Sequence, residues 1–127
     1  MLFINILQMT PKTEVEAFLR DFKIKLEFWG LLFRTDRGKN FETMLQLEYS
    51  VEHVKKELRE LELSHYVGGP LLETLYKGAA MWVFGKWIQS KEIYIKITMG
   101  RPSDKVLCIS FHFAERSLNY PYKNETT

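Results

Sequence analysis

The chain has 127 residues, a formal net charge of +2, and 46% apolar and 14% aromatic residues. This length and composition predict one globular domain with a real core, and they exclude an intrinsically disordered chain. A single cysteine excludes an internal disulfide framework and a cysteine-based zinc site, and it suits a reducing cytosol. No apolar run in the sequence approaches the length of a membrane span.

The two ends of the chain are predicted to lie outside the main fold. The segment Met1 to Leu7 is apolar but lacks a basic start and a small-residue cleavage site, so it does not read as a signal peptide. Either it is an added edge strand, or residues 1–9 are an extension and Met9 is the natural start. Residues 124–127 are predicted to be a disordered tail of the single domain 1–127.

The first predicted helix starts at a capping box formed by Thr13 and Glu16. Apolar residues then recur at helical spacing for about three turns. They are Val15, Phe18, Leu19 and Phe22. After this helix, apolar and charged residues alternate, which predicts a strand that begins near Ile24. Its apolar positions are Ile24, Leu26 and Phe28.

Two further helices are predicted before the sheet. Asn40 follows the basic turn 34–40 and is the predicted N-cap of a short helix. The inward residues of this helix are Phe41, Met44 and Leu45. Ser50 is the predicted cap of the next helix. Its inward residues are Val51, Val54, Leu58 and Leu61. Residues 64–78 are predicted to be a loop, because Gly68-Gly69-Pro70 interrupts regular structure.

Three antiparallel strands are predicted between Met81 and Phe113, where apolar and polar residues alternate with period two. The last two strands are predicted to form a hairpin in which Ile95 and Ile97 lie opposite Leu107 and Ile109. One apolar face then covers a core, and the other face is polar. The polar face carries Tyr94, Lys96, Ser110 and His112. The predicted fold class is therefore α+β, with N-terminal helices packed on a small antiparallel sheet formed mainly by the C-terminal half.

The position of Lys86 depends on the turn between the first two of these strands. A three-residue turn at residues 88–90 places Lys86 beside Tyr94. A two-residue turn places Lys86 on the core side, which an unpaired ammonium resists. The sequence therefore predicts that Lys86 lies on the polar face, beside Tyr94.

Positive charge is concentrated in the same region. Residues 76–116 hold seven Lys or Arg against three Asp or Glu, a local charge of +4, so the rest of the chain carries −2. Positive potential around the strands is expected if the sheet contacts phosphate groups.

Five short motifs occur in order along the chain. They are Arg37-x-Lys39-Asn40, His65-Tyr66-Val67-x-Gly69-Pro70, Trp82-Val83-Phe84-Gly85-Lys86, Glu92-Ile93-Tyr94-Ile95-Lys96-Ile97 and Ile109-Ser110-Phe111-His112-x-Ala114-Glu115. In this order and spacing they resemble a branch of the motility quorum-sensing regulator (MqsR) toxin family of bacterial type II toxin–antitoxin systems. The resemblance extends from about Thr10 to Lys123.

This resemblance implies a fold similar to the RelE-type toxins and an activity as an mRNA interferase. Such toxins act in growth regulation and stress response in the cytoplasm, as endoribonucleases that need no metal or other cofactor. The implied partners are mRNA, possibly on the ribosome, and a cognate antitoxin, typically a DNA-binding protein that represses the operon. Tyr94 and Lys96 match a family tyrosine and lysine, whereas His112 and Val83 stand where better-known members carry lysine and glutamine.

Metal-free RNA cleavage needs a base for the ribose 2′-OH, cations for the phosphorane and an acid for the leaving 5′-oxygen. The candidate catalytic residues are His112, Tyr94, Lys96 and Lys86. His112 and Tyr94 can each be the base or the acid, and the sequence does not choose between them. The candidate RNA-binding residues are Lys77, Arg101, Lys105 and Trp82, with core packing as the alternative for Trp82.

Three alternatives remain open from the sequence. Val83 favours a second reading, a non-catalytic module of the same fold that binds RNA or a protein. The antitoxin surface is either the charged helix after Ser50 or the phenylalanine-rich first helix. The segment Tyr120 to Lys123 either folds back over the site or packs elsewhere on the surface.

Overall fold

The computed structural model describes residues 10–72 and 79–125. Its elements in chain order are α1 (Lys12–Trp29), β1 (Leu31–Phe33), α2 (Gly38–Leu47), α3 (Val51–Arg59), a 3-10 turn (Leu63–His65), β2 (Tyr66–Leu71), β3 (Met81–Ile88), β4 (Lys91–Thr98) and β5 (Val106–Phe113). The predicted α+β class is confirmed. The predictions for residues 1–9, for 73–78 of the loop and for 126–127 of the tail fall outside the described residues. None of the described helices is long and apolar enough to cross a membrane.

The five strands form one sheet in the order β1-β5-β4-β3-β2. All neighbouring strands are antiparallel except β1 and β5, which run parallel. The main core lies between one face of this sheet and the helices. Phe18 of α1, for example, stacks on Trp82 of β3 with 4.5 Å between the ring centroids. We call this side of the sheet the helix face, and the other side the open face.

Helix α1 is longer than predicted, because it continues through the segment assigned to a strand and ends at Trp29. Leu26 is fully buried in the core, whereas Ile24 and Phe28 are 55% and 83% exposed. In a helix, residues four apart share a face and residues two apart lie on nearly opposite faces. The alternation of apolar residues therefore reflects two apolar faces of one helix. The predicted Thr13 capping box is also wrong, because Pro11 is the N-cap and no side chain caps the helix.

Asn40 is not the predicted N-cap, because α2 begins after Arg37 and Asn40 lies fully buried in its first turn. Its side-chain amide pairs with the edge of β5, beyond the point where β1 ends. Asn40 Nδ2 donates to the Ile109 carbonyl at 2.9 Å, and Asn40 Oδ1 accepts from the Phe111 N–H at 2.9 Å. The Thr43 hydroxyl accepts from the next outward N–H, that of Phe113, at 3.2 Å. Two side chains of α2 thus take the place of a neighbouring strand.

The predicted inward face of α2 is partly wrong. Met44 packs against the core as predicted, but Phe41 and Leu45 are 52% and 62% exposed. The pairing of Asn40 and Thr43 with β5 fixes the rotation of the helix. These polar contacts are long-range and cannot be derived from apolar spacing.

Replacing Asn40 by leucine is expected to destabilise the fold by about 2–4 kcal/mol, because buried N–H and C=O groups of β5 lose their partners. The free energy of unfolding from chemical denaturation measures this effect. Glu42→Ala, a change at an exposed position of the same helix, should leave the free energy nearly unchanged. A loss of stability for Asn40→Leu no larger than for Glu42→Ala would contradict the strand-like role of the amide.

Helix α3 largely follows the sequence prediction. The Ser50 hydroxyl accepts from the His53 N–H, and Val54 and Leu58 are fully buried. Leu61, just after the helix, is also fully buried, but Val51 is 39% exposed. The loop predicted at 64–78 is wrong for Tyr66–Leu71, which forms strand β2 beside β3. The pairing of β2 has register shifts and a cis Gly69-Pro70 bond, which explains why its sequence resembles a loop.

The three predicted strands are confirmed as β3, β4 and β5. The β3–β4 turn has two residues, Gln89 and Ser90, with φ values of 51° and 67°. Left-handed conformations at both positions are typical of a type I′ hairpin turn. This turn places Lys86 opposite Ile93, on the helix face rather than beside Tyr94.

The predicted alignment of Ile95 and Ile97 with Leu107 and Ile109 is wrong. Ile95 lies opposite Phe111 and Ile97 lies opposite Cys108, and the register shifts between Lys96 and Ile97. The shift leaves one extra residue on β5, as in a β-bulge. Val106 and Cys108 are consequently fully buried, while Leu107 is half-buried.

Candidate functional site

The open face of the sheet brings the four predicted polar residues together. Tyr94 lies opposite His112, and Lys96 lies opposite Ser110, in adjacent rows of β4 and β5. The rings of Tyr94 and His112 stack, with 5.3 Å between centroids and 23° between planes. Ser110 is 3% exposed, whereas the other three side chains are half-buried and remain within reach of solvent. The predicted convergence of these residues is therefore confirmed.

The environment of His112 fixes the position of its proton. Its Nδ1 lies 3.1 Å from the Phe113 carbonyl oxygen. A carbonyl oxygen only accepts hydrogen bonds, so this contact requires a proton on Nδ1. In the neutral ring the other nitrogen, Nε2, then carries the lone pair. This arrangement gives His112 a free proton acceptor.

The charge state of His112 follows from burial and from nearby cations. Burial lowers the pKa of His112, and the positive charges of Lys39 and Arg37 lower it further, against opposing contributions from the Phe113 carbonyl and Glu115. The ordinary pKa of a histidine is about 6.5. His112 is therefore mainly neutral at neutral pH, and its Nε2 can act as a base.

Two basic residues at the start of α2 complete the positive environment. Arg37 and Lys39 are both exposed, and Lys39 forms an ion pair with Glu115, two residues beyond β5. This ion pair lowers the pKa of Glu115. Asn40, the neighbour of Lys39, anchors this end of the helix to β5. Arg37 and Lys39 belong to the motif Arg37-x-Lys39-Asn40, but no functional role was predicted for either residue. That motif is the sequence feature that could have pointed to them.

Residues 114–125, which we call the C-terminal strap, cross the open face beside these residues. The Tyr120 hydroxyl donates to Glu92 Oε2 at 2.7 Å, and the Leu118 N–H donates to Glu92 Oε1 at 3.2 Å. A Cβ atom on Gly85 would lie 2.5 Å from Leu118 and 2.6 Å from Tyr120, so a larger residue there would displace these side chains of the strap. Of the two alternatives left open for the Tyr120 segment, the structure shows the one in which it folds back over this side of the sheet.

The far end of the strap is tied to the start of α1. The Tyr122 hydroxyl donates to the Thr10 carbonyl at 2.6 Å. Lys12 Nζ lies 2.7 Å from Glu125 Oε1. The strap is thus held at both ends. It lies over Glu92 and over Gly85, which is opposite Tyr94 in the row that ends at His112.

Lys86 is not part of this site, contrary to the prediction. Its Nζ lies 2.7 Å from Glu57 Oε1 of α3, on the helix face, with the two side chains only 12% and 14% exposed. The Tyr49 hydroxyl donates to the other oxygen of Glu57 at 2.5 Å. The core side was rejected from the sequence because an unpaired ammonium is unfavourable there. In the structure the ammonium is paired with the carboxylate of Glu57, so this position is allowed.

The predicted RNA-binding residues are dispersed. Arg101 and Lys105 lie exposed in the connection between β4 and β5, at the end of the hairpin beyond Lys96. Lys77 lies outside the described residues. Trp82 is 6% exposed and packs on α1, so its predicted role in base stacking is wrong and its alternative, core packing, is right.

Within residues 10–72 and 79–125, no group of three or more His, Cys, Asp or Glu side chains is placed to hold a metal ion. Cys108 is fully buried, and burial raises the pKa of its thiol. A buried thiol of this kind is inert, and Cys108 serves here as a small residue of the strand.

The fold and the open face define a class of protein in structural terms, an α+β domain with a neutral histidine, a tyrosine and several cations on one side of a sheet. No family model, no curated protein and no solved structure matches the chain.

Proposed function

We propose that this protein is the toxin of a bacterial type II toxin–antitoxin system, a cytoplasmic endoribonuclease that cleaves mRNA without a metal ion. The observation that carries the proposal is the pairing of His112 with Tyr94 on a solvent-accessible, cation-rich sheet face. The resemblance of five motifs to the MqsR family points to the same activity. A cognate antitoxin, expected to bind DNA, keeps the enzyme inactive.

In the proposed reaction, His112 Nε2 takes the proton of a ribose 2′-OH. The 2′-oxygen attacks the adjacent phosphorus, and the bond from phosphorus to the 5′-oxygen breaks. The Tyr94 hydroxyl gives its proton to the departing 5′-oxygen. The products are a 2′,3′-cyclic phosphate and a 5′-hydroxyl. The lone pair on Nε2 supports the assignment of His112 as base and Tyr94 as acid.

Cations near His112 supply the electrostatic part of the proposal. Lys96 lies one row from Tyr94 and His112 on the same face, and Lys39 and Arg37 act on His112 from the edge of β5. Positive groups that are already in place where charge develops stabilise the phosphorane. The Lys39–Glu115 ion pair has both side chains about two-thirds exposed. Exposed pairs of this kind are weak, so a phosphate group can displace Glu115 from Lys39.

Inducible expression in a bacterium tests the proposal. Wild type should arrest growth and degrade mRNA, and His112→Ala or Tyr94→Phe should relieve both effects. Co-expression of the antitoxin should also restore growth. With purified protein, cleaved RNA should end in a 2′,3′-cyclic phosphate, and an RNA with 2′-O-methyl groups should remain intact. Normal growth with intact mRNA, despite folded wild-type protein, would overturn the proposal.

A second function, binding of RNA or a protein without catalysis, is favoured by Val83. This residue lies opposite Lys96 and is 5% exposed, at the position where the resembling family carries a glutamine. A pure RNA-binding module predicts tight, steeply salt-dependent binding that His112→Ala weakens only slightly. Weak binding without steep salt dependence would instead indicate a domain with no nucleic-acid role.

The pH dependence of cleavage gives a prediction specific to His112. Because burial lowers the pKa of His112, the base should be active at neutral pH. Cleavage should fall only when the pH drops below about 6.5, as the imidazolium forms. The measurement is kcat/KM between about pH 5 and 8 for wild type and Tyr94→Phe, which should share the acidic limb. A rate that rises on acidification would assign the acid role to His112 instead.

A further inference from the structure

Helix α1 has a second apolar face that no described element covers. Three large side chains near its C-terminal end are 49–83% exposed. They are Ile24, Phe28 and Trp29. Together with Asp21 and Lys25 they line a shallow pocket of about 290 Å³. Exposed apolar clusters of this kind usually mark an interaction surface in a water-soluble domain.

The neighbouring strand β1 is a short edge of the sheet, three residues long, and its Phe33 carbonyl accepts from the Thr35 N–H. The Val106 N–H donates to the Gly30 carbonyl and the Arg34 N–H donates to the Cys108 carbonyl. Residues 30, 32 and 34 therefore direct their backbone groups to β5, while the N–H groups of Leu31 and Phe33 point outward. The three residues of β1, Leu31-Leu32-Phe33, include no lysine, proline or glycine. Natural proteins protect edge strands with such residues or by keeping them very short, and β1 has only the second of these protections.

The other edge of the sheet shows this protection. Strand β2 contains Gly68-Gly69-Pro70 and has register shifts along its pairing with β3. These features break up the regular row of backbone donors and acceptors on which another strand could pair. Of the two edges in the described part of the chain, β1 is the one whose backbone is regular enough to pair with a further strand.

We infer that the exposed face of α1 and the edge of β1 together form a dimer interface with a second copy of this chain. A two-fold axis beside β1 would pair the two β1 strands antiparallel and bring the two copies of Phe28 together. Both contacts are self-complementary, as an isologous interface requires. This inference concerns the assembly of the chain and does not depend on the proposed ribonuclease activity.

The available surface is of the right order for a dimer. The three exposed side chains of α1 offer roughly 400 Å² of largely apolar area, given their exposed fractions and the area of such side chains. A stable interface buries about 800 Å² on each partner. Leu32, which is 49% exposed on the opposite side of β1, and the edge of the strand can supply much of the remainder.

The charges around the patch are compatible with a second copy. Arg20 and Asp21 lie one turn before Ile24, with side chains 66% and 61% exposed. Each copy therefore carries both signs, and these two side chains lie 4.0 Å apart within the chain, so they add no net repulsion between two copies. The Lys25 ammonium donates to the carbonyls of Met99 and Arg101, so it needs no hydrogen-bond partner from the second copy.

Helix α3, the other surface considered for a protein partner, lacks such a patch. Its exposed side forms ion pairs within the chain, between Lys56 and Glu60 and between Arg59 and Glu27. Solvated charges that already satisfy each other gain little from a partner. The apolar face of α1 is the stronger candidate.

Sedimentation velocity of the purified full-length protein, over a concentration series in the micromolar range, tests the inference. Wild type should associate to a dimer as concentration rises. Phe28→Asp and Ile24→Lys, both at exposed positions, should remain folded by circular dichroism and weaken dimerisation at least tenfold. Trp87→Asp, a matched change at a side chain 64% exposed on the open face, should dimerise like wild type.

Two outcomes would overturn the inference. One is a wild-type protein that stays monomeric throughout the concentration series. The other is a dimer that persists unchanged in both α1 variants. If a monomeric toxin lost antitoxin binding on Phe28→Asp, the face would belong to the antitoxin and not to a second copy. RNA cleavage does not enter these measurements, so their result is separate from that of the proposed function.

Discussion

Replacing His112 by alanine is expected to lower the rate of RNA cleavage by about a hundredfold to ten-thousandfold, the usual contribution of a general base. The neutral ring of His112, with Nδ1 bonded to the Phe113 carbonyl, is the only proton acceptor that we assign to the 2′-OH. Single-turnover cleavage of a short labelled RNA measures the effect on the chemical step. Glu52→Ala, a change on the exposed side of α3, should cleave at the wild-type rate.

The interpretation of this loss depends on the fold remaining intact. His112 is half-buried and stacks on Tyr94, so each variant must first be shown to melt cooperatively. Tyr94→Phe keeps the ring and removes only the hydroxyl, and it should therefore lose cleavage without losing RNA affinity. If folded His112→Ala retained cleavage within a few-fold of wild type, the base would have to be another group.

Removing the carboxylate of Glu57 is expected to cost about 3–5 kcal/mol of stability, because the Lys86 ammonium would remain buried without a partner. The two side chains are only 12% and 14% exposed, and Tyr49 adds a hydrogen bond to the same carboxylate. Chemical denaturation of Glu57→Ala measures the cost. The double variant Glu57→Leu with Lys86→Met should recover most of the stability, since an apolar pair can replace a buried ion pair.

The same double variant tests whether Lys86 takes part in cleavage. Lys86 lies on the helix face and Tyr94 on the open face, so the variant should cleave RNA at nearly the wild-type rate. If the double variant were stable but inactive, Lys86 would have to be a catalytic residue after all. A single Glu57→Ala cost below about 1 kcal/mol would show instead that water screens the pair.

The open face could be predicted from sequence because its determinants are local. Ile93, Ile95 and Ile97 alternate with polar residues, and antiparallel pairing forces the residues between them onto one face. Tyr94 therefore had to lie on the same side as Lys96. His112 joined them because the two-residue period of β5 is regular from Ser110 onward, past the bulge.

Other features depended on contacts that a single sequence does not display. The side of the sheet on which Lys86 lies was decided by a turn of two residues instead of three and by a carboxylate from α3. The role of Asn40 depended on the edge of β5, which is distant in sequence. The alternation of apolar residues at Ile24 and Phe28 resembled that of a strand because one helix carries two apolar faces. In each case the local sequence pattern fitted two structures equally well, and tertiary contacts determined which of them formed.

The order of strands in the sheet has a consequence for synthesis on the ribosome. Strand β5 is the last to be made, yet it lies between β1 and β4 and carries His112. Until β5 leaves the exit tunnel, β1 has no neighbour to pair with, and Asn40 of α2 has no strand edge to bind. A nascent chain thus holds its helices and two hairpin-connected strands, β3 and β4, but not the completed open face. Whatever chemistry that face performs therefore begins only once β5 has emerged and joined the sheet.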